Sequence, residues 1–150
     1  MPNLVEVTYE QTGKSKSTNE FGMRDMQQKA YEQRDARYLL LKAPPASGKS
    51  RALMFIALDK LINQGVKKVI VAVPERSIGG SFGATDLKAY GFYENWEVKE
   101  KYNLCTTVEA TGTVAAFKEF LNSDEKILIC THATLRFAFE QLNESNFNNT

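Results

Sequence analysis

Apolar positions along this chain follow two rhythms, and their alternation predicts the architecture. Residues 3–9 (NLVEVTY) alternate apolar and polar, as a half-buried or edge strand does. Met23, Met26, Gln27, Ala30 and Tyr31 recur at helical spacing, with Asp25 in the first turn, predicting a helix over 24–34. A short apolar strand, 38–42, comes next. Lys49 to Asn63 carries Ala52, Phe55, Ile56, Ala57, Leu58, Leu61 and Ile62, a stripe wide enough to bury a helix on a sheet, and Gly65 ends it. Residues 67–73 (KKVIVAV) form a nearly continuous β-branched run, expected of a strand buried on both faces of a parallel sheet and stopped by Pro74. The segment 75–90, with Gly79, Gly80 and Gly83, reads as a loose loop with a short helix. Strands are expected at 96–100 and 104–108, and a helix at 113–121 with Val114, Phe117, Phe120 and Leu121 on one face. A buried strand at 126–130 (KILIC) leads into a helix at 131–142 with Leu135, Phe139 and Leu142 on one face. The polar tail 143–150 is expected to be a surface loop.

Strands alternating with helices in this order predict an α/β fold with a mainly parallel sheet and right-handed crossovers. Ligands of such sheets bind at the carboxyl ends of the strands. Three breaks fall there: Ala43–Ser50, Pro74–Ser77 and Thr131–Thr134, expected to line one rim. Residues 1–20 separate as an N-terminal strand and a polar arm; 21–150 form the main body. Lys14 and Lys16, in the arm, could touch phosphate or simply be solvated.

The first break carries the chemistry. Ala43-Pro44-Pro45-Ala46-Ser47-Gly48-Lys49-Ser50 sits between a strand and a long helix. That is the layout of a phosphate-binding loop, whose backbone N–H groups wrap an anion at a helix N-terminus. Lys49 would reach the β- and γ-phosphates of a nucleotide and the Ser50 hydroxyl would ligate Mg²⁺. The competing reading is a Pro-rich turn in which Ser47 merely caps the helix.

Bulk properties narrow the choice. At 150 residues, 43% hydrophobic and 25% charged, the chain can bury a real core. A net charge of +1 gives no overall pull toward nucleic acid, although a local basic stripe remains compatible with it. Cys105 and Cys130 lack metal-ligand spacing and read as reduced core thiols, which suits a cytoplasmic setting. The single histidine, His132, has no second His or Cys partner for a metal. The apolar runs are too short to span a membrane, and the N-terminus lacks the pattern of a signal peptide.

With the three breaks in hand, residues 21–142 resemble part of the first RecA-like domain of a superfamily 2 helicase, of the DEAD/DEAH type and the helicase subunits of restriction enzymes. In that family a Gln upstream of the loop Lys recognises adenine. Arg24-Asp25-Met26-Gln27 matches its Arg-x-x-Gln pattern, which makes Gln27 the candidate; a surface Gln is the alternative. The segment 43–50 resembles the family's Ala-x-x-Gly-x-Gly-Lys-Thr, with Ala46 where Gly is usual. If that position needs positive φ, alanine pays strain. Val69–Val73 with Pro74-Glu75-Arg76-Ser77 resembles a motif that grips the nucleic-acid backbone, and Ile127–Cys130 with Thr131-His132-Ala133-Thr134 resembles a later one. The resemblance thus implies that Arg76, Ser77, Thr131, His132 and Thr134 face a DNA or RNA strand. Helix capping and packing are the alternatives for each.

The family also requires an apolar strand ending in Asp-Glu, whose carboxylates hold Mg²⁺ and position water. No apolar run here ends so, and Asp124-Glu125 precedes its strand. The expectation is therefore an N-terminal piece of a larger ATP-dependent helicase or translocase, using ATP and Mg. The rest of the same chain would supply the carboxylates and a second RecA-like domain. The piece alone should bind nucleotide weakly and hydrolyse little. Two other readings stay open: a binding or adaptor domain with a degenerate loop, and another P-loop enzyme such as a small-molecule kinase.

Overall fold

The computed structural model describes residues 3–6, 19–106, 113–142 and 144–150. The first strand's expected residues 7–9, most of the polar arm with Lys14 and Lys16, and residues 107 and 108 lie outside that set. The chain divides into two compact units, Met1–Lys60 with Asp86–Asn95, and Leu61–Thr85 with Trp96–Thr150.

In the first unit, strand β1 (Asn3–Glu6) runs parallel to β2 (Leu39–Lys42), pairing Asn3 with Leu39 through Glu6 with Lys42. Helix α1 (Asp25–Glu32) lies between them in sequence, and α2 (Lys49–Asn63) follows β2. Val5, Met26, Ala30, Ala52 and Ile56 form the core, with Leu39 and Leu41 packed against it. Alternation along β2 decides this: Leu39 and Leu41 turn inward, and Leu40 is exposed. The Lys60 ammonium ties α2 to the turn after α1 by donating to the carbonyls of Arg34, at 2.9 Å, and Ala36, at 3.4 Å.

In the second unit, β3 (Val69–Val73) pairs in parallel with β4 (Ile127–Thr131), Val69 opposite Ile127 and Val73 opposite Thr131. Between them come α3 (Arg76–Gly79) and α4 (Thr113–Leu121); α5 (His132–Gln141) follows β4. Tyr102, Leu104, Phe117, Phe120, Leu128, Cys130 and Ala138 make its core. Cys130 is a free, buried thiol whose pKa burial pushes up to about 12, and Cys105 is likewise free and buried. Both therefore stay protonated packing groups near neutral pH.

Parallel α/β organisation is thus present, but the described strands form two separate two-stranded pairs. β3 is only half-buried over most of its length, whereas β4 is buried from Ile127 to Cys130. The run 67–73 was expected to be covered on both faces; among the described residues β3 has one strand partner, β4. The expected strand at 96–100 is not formed, nor are residues 104–106 of the one expected at 104–108, whose last two residues lie outside the described set. Trp96 makes an isolated antiparallel bridge with Thr85, residues Glu100–Tyr102 form a 3₁₀ turn, and Asn103 bridges to Ile129. Tyr102 and Leu104 are apolar because they drop into the core from a turn, not because they alternate along a strand. On α5 Ala138 is buried and the expected Leu135 and Leu142 pack against the core, but Phe139 is 56% exposed. The tail is more than a surface loop. Its 3₁₀ turn Glu144–Phe147 sets the Phe147 ring 5.7 Å from that of Phe117, and the Asn149 carbonyl accepts from the Lys67 and Lys68 amides.

Candidate functional site

The first candidate site is the junction of β2 and α2. β2 ends at Lys42, α2 begins at Lys49, and Ala43–Gly48 make the turn. Two residues of that turn have left-handed backbones: Ala46 with φ 60° and Gly48 with φ 90°. Alternating handedness of this kind points successive N–H groups into one concavity. The strain anticipated for Ala46 is therefore present. It is worth about 1–2 kcal/mol, part of it offset because alanine loses less chain entropy than glycine on folding. Ala46→Gly should accordingly leave the protein as stable or stabilise it by up to about 1 kcal/mol, and Ala46→Val should destabilise it. Thermal denaturation of the three proteins checks this, and a lower Tm for the glycine variant would contradict it.

Gly48 is required twice over. Its φ is one that side chains rarely adopt, and a Cβ there would lie 2.5 Å from Gln27 Nε2. Gln27 is buried on α1, and its amide donates to the Gly48 carbonyl at 3.1 Å while its Oε1 accepts from the Arg24 amide at 2.8 Å. A primary amide carries two N–H donors and two acceptor lone pairs. One of each is engaged with backbone, which fixes the orientation of the other pair. The Arg24–Gln27 pattern and the loop are thus joined by a hydrogen bond, and Gln27 is not the surface side chain of the alternative reading.

Ser47 Oγ is buried and has no hydrogen-bond partner among the described residues, so it does not make the helix cap of the Pro-rich-turn reading. A buried hydroxyl without a partner costs about 1–3 kcal/mol, and an incoming anion or its water would satisfy it. Lys49 is exposed, and its ammonium lies back across the loop on the Ala43 carbonyl at 3.0 Å. Pro44 and Pro45 are exposed at the loop's tip, and Ser50, half-buried, occupies the first turn of α2. An orphaned hydroxyl, a left-handed cradle and an exposed cation lying across the loop fit a phosphate group. No cluster of three or more His, Cys, Asp or Glu side chains that could hold a metal occurs among the described residues.

The other candidates sit in the second unit. Because β3 and β4 run parallel with Val73 opposite Thr131, Pro74–Ser77 and Thr131–Thr134 emerge side by side. Two of the three breaks therefore share one edge; Ala43–Ser50 belongs to the other unit. Arg76 and Ser77 are exposed in the single turn of α3, with Arg76 Nε donating to the Cys105 carbonyl at 3.2 Å. Thr131 caps α5: its hydroxyl accepts from the Thr134 amide and donates to the Thr134 hydroxyl, each at 3.2 Å. His132 is exposed on the first turn of α5.

Sequence reasoning missed Asp59. It is 4% exposed, and it accepts from the hydroxyls of Tyr31, at 3.2 Å, and Tyr93, at 3.3 Å, with Arg34 Nε at 3.5 Å from its other oxygen. Burial and the neighbouring hydroxyl and carboxylate raise the Tyr93 pKa, and burial raises that of Tyr31, so both remain donors. The available signal was a carboxylate four residues after Phe55, inside the apolar stripe of α2.

The chain is 63% identical over 149 residues, 99% of its length, to a Bacillus subtilis (strain 168) protein named "Putative ATP-dependent helicase YeeB". It spans about a quarter of that relative's length, 25%. No family model matches, and no solved structure matches. Among the described residues no helix is long and apolar enough to cross a membrane. An α/β chain with left-handed Ala46 and Gly48 backbones in its Gly-Lys-Ser loop is thus, over almost its whole length, similar to one quarter of a protein that bears a helicase name.

Proposed function

We propose that the chain is the nucleotide-binding part of an ATP-dependent nucleic-acid helicase or translocase, built on a RecA-like P-loop domain of the superfamily 2 type. The observation that carries this reading is the hydrogen bond from Gln27 to the Gly48 carbonyl. It joins an adenine-recognising pattern to a Gly-Lys-Ser loop, two motifs far apart in sequence that one nucleotide would need together. Lys49 serves the β- and γ-phosphates, Ser47 and the loop amides the phosphate oxygens, Ser50 the Mg²⁺ that comes with the nucleotide, and Gln27 the base. Arg76, Ser77, Thr131, His132 and Thr134, on the edge of β3 and β4, face the nucleic-acid strand. In the whole protein, of which the carboxylates and a second RecA-like domain are further parts, ATP binding and hydrolysis alternate two lobe arrangements with different grips on the strand. A place as the helicase subunit of a restriction enzyme belongs to the same reading.

The test is ATP turnover by the whole protein with Mg²⁺, in the absence and presence of single-stranded DNA, duplex DNA and RNA. Turnover that rises with one of these nucleic acids is expected. Nucleotide saturating at a hundred times its Kd should also stabilise the fold by about 2.7 kcal/mol. Turnover indifferent to nucleic acid would favour a kinase or another P-loop enzyme. Neither turnover nor thermal stabilisation would favour a binding or adaptor domain with a degenerate loop, the reading with which Ala46 agrees.

A further inference from the structure

Residues Asp86–Asn95 leave the second unit in sequence and belong to the first. The excursion is closed at its base by two backbone hydrogen bonds between Thr85 and Trp96, at 2.8 and 3.1 Å. Within it, the Leu87 carbonyl accepts from the amides of Tyr90 and Phe92, and Gly91 turns the chain with φ 105°. Its tip interlocks with the segment leading to Gln27. A Cβ on Gly91 would lie 2.1 Å from the Glu20 carbonyl oxygen, and one on Gly22, itself at φ 76°, would lie 2.6 Å from the Tyr90 carbonyl oxygen. Each segment thus presents a glycine to the other's backbone. The receiving loop is itself fixed, since Asn19 Oδ1 accepts from the Phe21 amide at 3.0 Å and the Met23 amide at 2.9 Å.

Beyond the interlock the excursion grips both helices. Phe92, 3% exposed, packs its ring 4.7 Å from Phe55 on α2 and 6.1 Å edge-on from Tyr31 on α1. Tyr93 joins Tyr31 on the buried Asp59 carboxylate. The Arg51 guanidinium, one residue after Ser50, lies 5.1 Å over the Tyr90 ring. A buried carboxylate is tolerated only when donors surround it, so the Asp59 cluster holds its members in one geometry. α1 carries Gln27 and α2 begins with Lys49 and Ser50, so whatever fixes one helix on the other fixes the base side of the site against its phosphate side.

We infer that the Asp86–Asn95 excursion is a positioning element of the nucleotide site, which holds Gln27 at a set distance from the phosphate loop and thereby sets discrimination between adenine and other bases. This rests on the proposed function. None of its residues need touch the nucleotide. Losing the excursion's grip should therefore blur base choice while leaving phosphate recognition alone.

The test measures binding of ATP, GTP and inorganic tripolyphosphate to the whole protein. Wild type should prefer ATP over GTP. Gly91→Ala, which forces the interlock apart, should shrink that preference by about fivefold, and Tyr93→Phe, which removes one donor to Asp59, by about twofold. Tripolyphosphate affinity should stay the same in both. Gly65→Ala is the control, because Gly65 has a φ of 73° with nothing within 4 Å and so introduces the backbone strain without the collision. An equal loss of preference in Gly65→Ala would mean general loosening and overturn the inference. An unchanged preference in Gly91→Ala and Tyr93→Phe would overturn it while the nucleotide site stood. If Gly91→Ala does not fold, Tyr93→Phe alone decides. A wild type that binds ATP and GTP equally overturns the inference, and one that binds neither overturns the proposed function along with it.

Discussion

Lys49→Ala is expected to lower Mg-ATP turnover by the whole protein by at least about a hundredfold, the usual cost of removing one preorganised donor to developing charge. The same substitution should leave the melting temperature in the absence of nucleotide almost unchanged. Lys49 is exposed, and its ammonium donates to the Ala43 carbonyl on the rim of the loop, so no core packing is lost. Lys49→Arg should not restore turnover, because a planar guanidinium cannot take the place of a compact ammonium inside a loop of this curvature. Turnover and thermal scans on the three proteins make the comparison. Near-wild-type turnover in Lys49→Ala would remove the phosphate loop from the chemistry, and a large drop in Tm would mean that Lys49 is a structural residue.

Phe120→Ala is expected to destabilise the fold by about 3–5 kcal/mol, a large part of a typical domain's stability. Phe120 is fully buried on α4, in the core with Phe117, Leu128 and Cys130, and its ring lies 5.4 Å from that of Tyr102. The Lys68 ammonium sits 4.6 Å over the same ring while donating to the carbonyls of Ser123 and Glu125. Burial lowers the pKa of this lysine. Removing the ring therefore opens a cavity and withdraws the aromatic face from a partly desolvated cation. Phe120→Leu should lose much less, since it refills most of the volume. Urea denaturation of both variants gives the two values. A loss below 1 kcal/mol for Phe120→Ala would mean that β3, β4 and α4 do not depend on this core.

Much of the local structure in both units was legible where local patterns are strong and agree with one another. Helix α2 starts and stops where its apolar stripe and Gly65 put it, and α4 spans the residues that Val114, Phe117, Phe120 and Leu121 outline. Strands β3 and β4 follow from the apolar runs 67–73 and 126–130. Where residues are apolar for a reason other than periodicity, the reading failed. Trp96 is buried because its indole donates to the Phe82 carbonyl at 2.8 Å next to an isolated bridge. Tyr102 and Leu104 enter the core from a turn. Phe147 gives a polar tail an anchor that no period announces.

By itself the sequence determined the α/β alternation and the strand–turn–helix layout around Ala43–Ser50, since short-range sterics and backbone hydrogen bonding act between near neighbours. It also marked Ala46 as the position where strain would appear. Only the tertiary structure decided that Gln27 turns inward onto the Gly48 carbonyl, that Ser47 keeps an orphaned hydroxyl instead of capping α2, and that Thr131 spends its hydroxyl on α5. It alone brought Asp86–Asn95 against Glu20–Gly22 and gathered Tyr31, Arg34 and Tyr93 on Asp59. Such partners are separated by long stretches of chain. Their pairing depends on which surfaces exclude water together, and no local period encodes that.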